Sequence, residues 1–167
     1  MNDTARGRTA RGTLTASNHD WHYGLLLAMA VLSFMSMYVL MYAMVDRYSN
    51  AYANLNQVYM AGLMTAPMVV IKLALIRSMY HNGKLNLAII VVSLAALVAF
   101  FMLIRQQSAI GDSQFLRSMI PHHAGAILMC EQAPIRNPEI KDLCTSIIAS
   151  QQREIDQMKA ILNRLDS

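Results

Sequence analysis

Three apolar runs constrain this chain more than any other feature. They are Tyr23 to Val45, Val58 to Ile76 (interrupted only by Lys72) and Leu85 to Ile104. Each reaches roughly 20 residues, which at about 1.5 Å per residue crosses a hydrocarbon core of about 30 Å. The first run is too long, and its cleavage signals too poor, for a secretory signal peptide, so it reads as a retained helix. Apolar residues make up 55% of the 167 and charged residues only 14%, which is not the make-up of an ordinary soluble domain.

Loop charge sets the expected orientation. From Arg105 onward acidic and basic residues balance, so the net charge of +4 arises in the first 104 residues, chiefly from Arg6, Arg8, Arg11, Arg77 and Lys84. The excess is too small and scattered for nucleic acid, and it fits the flanks of membrane helices. Arg6, Arg8 and Arg11 precede the first run, and Arg77 and Lys84 lie in the turn between the second and third. The loop from Asp46 to Gln57 carries only Arg47, beside Asp46. Positive residues favour the cytoplasmic side. The N-terminus and the Arg77–Lys84 turn are therefore expected inside, and the chain after Ile104 outside.

The organisation that follows is all-α. Residues 1–20 read as a disordered cytoplasmic tail, residues 21–104 as a three-helix transmembrane region, and residues 105–167 as an extracytoplasmic helical hairpin. The first hairpin helix should open at Asp112, an N-cap residue type, and run to about Ala133. Phe115, Met119, His122, Ala126, Met129 and Ala133 recur at helical steps and form one face. Pro121 should kink that helix just before the His pair. A turn at Pro134–Pro138 leads to a second helix from about Glu139 to Leu165. Its expected face carries Ile140, Cys144, Ile147, Gln151, Glu154, Met158, Ile161 and Leu165. Folding the hairpin about Arg136–Asn137 sets Cys130 opposite Cys144, the His pair opposite Gln151 and Gln152, and Met119 toward Ile155 and Met158. Two such helices cannot bury a core alone. A second copy would complete a four-helix bundle, so a homo-oligomer is expected.

The chemistry gathers in Met119-Ile-Pro-His122-His123, with Met129 and Cys130 further along the same helix and Glu154 and Met158 on the next. Imidazole, thioether and thiol donors are the set that monovalent copper or silver prefers. Each residue type also has a plainer reading. Adjacent histidines point about 100° apart on a helix, and either can be a hydrogen-bonded core residue. Methionine packs irregular cores well. Cys130 and Cys144 can be a disulfide in an oxidising compartment, a thiolate pair for a metal, or small buried residues. Met37, Met41 and Met44, and Met60, Met64 and Met68, form stripes on the membrane helices. These read as helix packing, with a soft-metal ladder as the alternative. Lys72 should snorkel to the cytoplasmic side. No phosphate loop, nucleophile elbow or Glu-x-x-His pair is present, so no enzyme is expected.

At these residues the chain resembles the bacterial family known as domain of unknown function 305. Its hallmarks are a Met-x-x-His-His element and a Gln-x-x-Glu-Ile-x-x-Met element. Here they stand as Met119 to His123 and Gln151 to Met158, with Asp112, Phe115 and Met129 also matching. The resemblance covers about a third of the chain. It implies similarity to ferritin-like helical bundles, and some members are periplasmic Met/His-rich copper-binding proteins. The departures are a single hairpin where the family's usual unit has more helices, and cysteines at 130 and 144 where small apolar residues are usual.

The expectation is therefore a protein of a bacterial inner membrane, with a cytoplasmic N-terminus and a periplasmic hairpin that binds or buffers Cu(I) or silver. Met119, His122, His123 and Met158 would be ligands, supported by Met129 and Glu154. Thioethers and neutral imidazoles need not lose a proton to bind metal. The alternative is an oligomerisation module whose His pair completes a polar network with Gln151 and Glu154. Expected partners are lipid, further copies of the chain and metal ions, and no nucleic acid.

Overall fold

The computed structural model describes residues 3–167, the side chains of residues 3–20 and of Arg77 excepted. Of the disordered tail expected over residues 1–20, Met1 and Asn2 lie outside the described residues, and the first helix takes in the backbone from Asp3. The described chain is helical, with α1 (Asp3–Leu40), α2 (Leu55–Leu75), α3 (Gly83–Gln106), α4 (Asp112–Gln132) and α5 (Pro138–Leu165). Short 3₁₀ turns occupy Met41–Met44, Tyr48–Asn50 and Arg77–Met79. Trp21–Met44, Leu55–Leu75 and Gly83–Gln106 are long and apolar enough to cross a membrane.

Helix boundaries follow local capping chemistry. Asn54 Oδ1 accepts from the Gln57 backbone N–H at 3.0 Å, and Asn54 Nδ2 donates to Gln57 Oε1 at 3.0 Å. This Asn-x-x-Gln variant of the capping box starts α2 at Leu55, inside the stretch expected to be loop. Asn82 Oδ1 accepts from the Leu85 N–H at 3.1 Å and opens α3 in the same way. Asn137 Oδ1 accepts from the Glu139 and Ile140 N–H groups at 2.9 and 3.4 Å, with Pro138 in the first turn of α5. Asp112 begins α4 as expected but is not its cap. Gly111 holds that position, and Asp112 lies in the first turn, where its charge complements the helix dipole. α4 then runs continuously to Gln132 with Pro121 inside it.

α3 ends in a reciprocal pair of backbone bonds, Ser108 N–H to Leu103 O at 3.0 Å and Gln107 N–H to Ile104 O at 3.3 Å. This is the Schellman arrangement, which needs a left-handed residue after the cap. That residue is Gln107, at φ 49°, where glycine is usual. Its side chain offsets the strain, since Nε2 donates to Ile104 O at 2.7 Å.

The described chain packs as two compact units, one made of Met1–Met37 with Ala61–Phe101, the other of Tyr38–Met60 with Met102–Ser167. The division differs from a boundary at residue 105, because Tyr38–Met60 groups with the hairpin.

In the first unit, Leu26, Val69, Leu73 and Tyr80 form a small buried cluster. Tyr23 Oη donates to Asn86 Oδ1 at 2.7 Å, and Asn86 Nδ2 donates to Tyr80 O at 2.8 Å. Gly62 lies directly under the Phe100 ring, because a Cβ there would fall 2.5 Å from it. Close approach over a small residue is how helices associate where lipid replaces water.

In the second unit, Leu116, Ile120, Ala124 and Ile127 of α4 pack on Ile155 and Leu162 of α5. Ile120 and Ile155 are 0% exposed. The α4 face expected from periodicity is not the one that meets α5. Phe115 is 51% and Met129 56% exposed, and the core face lies one residue over. Both faces are apolar, so spacing alone does not assign them. On α5, Ile148, Ile155 and Leu162 recur every seven residues and carry the contact, while the expected Ile140 and Leu165 are exposed. Val45 and Tyr52 also pack on this core. The hairpin thus finds part of its cover within its own chain.

Candidate metal-binding cleft

Cys130 and Cys144 are joined in a disulfide with a Cα separation of 5.2 Å. The link ties the two hairpin helices near the turn and takes both sulfurs out of the pool of thiolate donors. A bridge closing a loop of this size contributes about 3 kcal/mol by restricting the unfolded chain.

The two histidines part company. His123 is 8% exposed and points into the hairpin core. Its Nδ1 lies 2.9 Å from the Met119 carbonyl, and its Nε2 lies 2.7 Å from Glu154 Oε2. A carbonyl oxygen only accepts, so Nδ1 carries a hydrogen. The second contact then holds its own proton between Nε2 and the carboxyl group. Both ring nitrogens are engaged, and His123 joins α4 to α5 as a strut. His122, the next residue, is exposed and looks the other way.

That other way is a cleft of about 530 Å³, lined by Met41, Met44, Met60, Met119 and Met129 and by His122. All of these belong to the second unit. The remaining polar groups are neutral amides and a hydroxyl. Asn56 and Gln107 pair reciprocally through their amides at 3.1 Å, and Asn56 Nδ2 also donates to Ser118 Oγ at 3.2 Å. Gln114 Oε1 accepts from the Leu55 N–H at 3.0 Å, so an α4 side chain helps to cap α2. Tyr59 Oη donates to Ser108 O at 2.8 Å. These bonds hold the start of α2, the α3–α4 connection and the first turns of α4 as one scaffold. Gly125 completes it. A Cβ at that position would sit 3.3 Å from the Met44 carbonyl, so glycine lets α4 approach that turn closely.

The structure therefore brings Met119, His122 and Met129 together on the cleft wall. It places His123, Glu154 and Met158 elsewhere: the first two bond each other, and Met158 packs on the core. Gln151 does not join a network with the His pair, because its buried Oε1 has no partner among the described residues. Met41, Met44 and Met60 line the cleft as well, although periodicity assigned them to helix packing. The signal that could have found them is the early start of α2 at Asn54-x-x-Gln57, which shortens the loop and brings Met60 toward its opening turn. Among the described residues no three His, Cys, Asp or Glu side chains converge on a metal position. The donor set of the cleft is thioether and imidazole, which suits a soft monovalent ion and not a hard one.

Comparison with known proteins places this site in a family. The family model described as domain of unknown function (DUF305) matches residues 102–165, which include the His pair and both hairpin helices. An uncharacterized protein of Acanthamoeba polyphaga mimivirus is 35% identical over 142 residues, covering 83% of this chain and 91% of its own length. That alignment is more than twice as long as the matched family region, so the likeness extends into the apolar helices. No solved structure matches. On the matched hairpin and on this near full-length relative, the chain belongs to the DUF305 family.

Proposed function

We propose that this protein is a membrane-anchored binder or buffer of soft monovalent metal ions, Cu(I) or Ag(I), and not an enzyme. The observation that carries the reading is the shared cleft wall of Met119, His122 and Met129. These donors are neutral, so an ion enters without displacing a proton from a thiol. When bound, the ion would be held by His122 nitrogen and methionine sulfur. The role of His123 and Glu154 is to fix the rotation of α4, which keeps His122 turned into the cleft.

The proposed setting is a bacterial inner membrane, with the N-terminus in the cytoplasm and the hairpin outside. Support comes from the basic residues Arg77 and Lys84 between the second and third apolar runs, and from the Cys130–Cys144 bridge, which belongs to an oxidising compartment. A second reading, a homo-oligomerisation module, draws on the exposed Ile140 and Leu143 of α5.

Competitive titration of the full chain in detergent with Ag(I) and Cu(I), against a chromophoric chelator, tests the metal reading. The parent should compete for the ion, and Met119→Leu with His122→Ala should abolish competition while helix content stays the same. A parent that takes up neither ion would remove the reading and leave the oligomerisation module.

A further inference from the structure

We infer that the metal site is shared between two separate stretches of chain. One wall is α4; the other is the end of the first apolar span and the start of the second, through Met41, Met44 and Met60. The inference rests on the soft-metal reading and adds its missing donors. Three of the five cleft thioethers lie outside residues 102–165, where the family likeness to the DUF305 model is confined. The matched region alone supplies only Met119, His122 and Met129, and two of these are thioethers, which are individually weak donors.

The placement of the opposite wall is built in several ways. Met41 and Met44 sit on the 3₁₀ turn that continues α1, and Met60 is in α2 just past its capping box. Tyr42 Oη, between them in sequence, donates to the Tyr52 carbonyl at 2.8 Å and fixes that turn against the segment leading to α2. The amide bonds from Asn56 to Gln107 and Ser118 fix the start of α2 against α4. Gly125 sets the distance between the walls, because a side chain there would meet the Met44 backbone.

An ion bridging the two walls has a mechanical consequence. It ties the segment from Met41 to Met60 to α4 and slows the opening of the connection between them. Metal occupancy would then be felt at the ends of the first two membrane-spanning helices, and not only in the hairpin.

The test uses the full chain in detergent with Ag(I). Exchanging Met41, Met44 and Met60 together for leucine conserves side-chain volume. It should weaken Ag(I) binding about tenfold or more while the thermal unfolding of the protein is unchanged. Should the triple variant fold poorly, Met44→Leu and Met60→Leu singly should each still weaken binding. Gly125→Val keeps every donor and forces the walls apart, so it should weaken binding to a similar degree. Ag(I) should also slow amide exchange across residues 46–57 in the parent. If the leucine and Gly125 variants bind like the parent while His122→Ala does not, the shared site is wrong and the α4 site stands alone. If the parent binds no Ag(I), both fall together.

Discussion

The two units bury apolar residues in opposite senses. In the first, Leu27, Val31, Leu32, Val91, Val92 and Val98 point outward and are exposed in the isolated chain. Its inner contacts rest on a few small or polar devices, Gly62 under Phe100 and Tyr23 on Asn86. In the second, Leu116, Ile120, Ile127, Ile155 and Leu162 turn inward to one core, and amides and hydroxyls tie the surrounding segments together. The two surfaces differ in the surroundings they suit. Three of the chain's helices are long and apolar enough to cross a membrane, and an outward leucine and valine surface suits lipid, where apolar burial between helices has little driving force. The hairpin unit is stabilised in water by removing Ile120 and Ile155 from it. Methionine divides the same way. Met64 and Met68 of the first unit are exposed on the helix surface, whereas Met41, Met44, Met60, Met119 and Met129 of the second, three of them also exposed, line one cleft.

The largest test of that contrast is truncation in each unit. Ile155→Ala removes a fully buried side chain and should cost about 3–4 kcal/mol. Leu87→Ala, on the outward face of α3, should change stability by less than about 0.5 kcal/mol in detergent. Chemical unfolding followed by circular dichroism reads both. Equal losses would show that α3 buries Leu87 against protein and would break the comparison.

A smaller and more selective effect separates the histidines. His123→Ala removes a buried ring bonded to both Met119 and Glu154, and should cost about 2–3 kcal/mol. His122→Ala should stay within about 0.5 kcal/mol, because the side chain is exposed. The order should reverse for metal, with His122→Ala losing Ag(I) and His123→Gln retaining part of it. Similar stability losses for both would mean that His122 is also a strut.

Much of this fold was legible from the residues. The apolar runs located the three long helices, and the hairpin register set Cys130 opposite Cys144, where the disulfide stands at a Cα separation of 5.2 Å. What was not legible has physical causes. Leu116, Ile120, Ala124 and Ile127 repeat at the same steps as Phe115, Met119, His122, Ala126 and Met129. Periodicity alone therefore could not say which face meets α5. The partner that resolves it, residues 38–60, is far away in sequence, and its approach depends on Gly125 and on amide pairs such as Asn56 with Gln107. Nor could spacing show that His123 spends both nitrogens on structure, since Glu154 reaches it from the other helix.

In the proposed site, one face of α4 meets the ends of the first two apolar spans in a methionine-lined cleft for a soft ion. Methyl NMR of the protein labelled at its methionine methyl groups, titrated with Ag(I), tests it most directly. The Met41, Met44, Met60, Met119 and Met129 signals should move together and saturate at one equivalent, while Met64, Met68 and Met158 stay in place. Movement of Met158 in place of Met119, or no saturable shift at any methyl group, would contradict it.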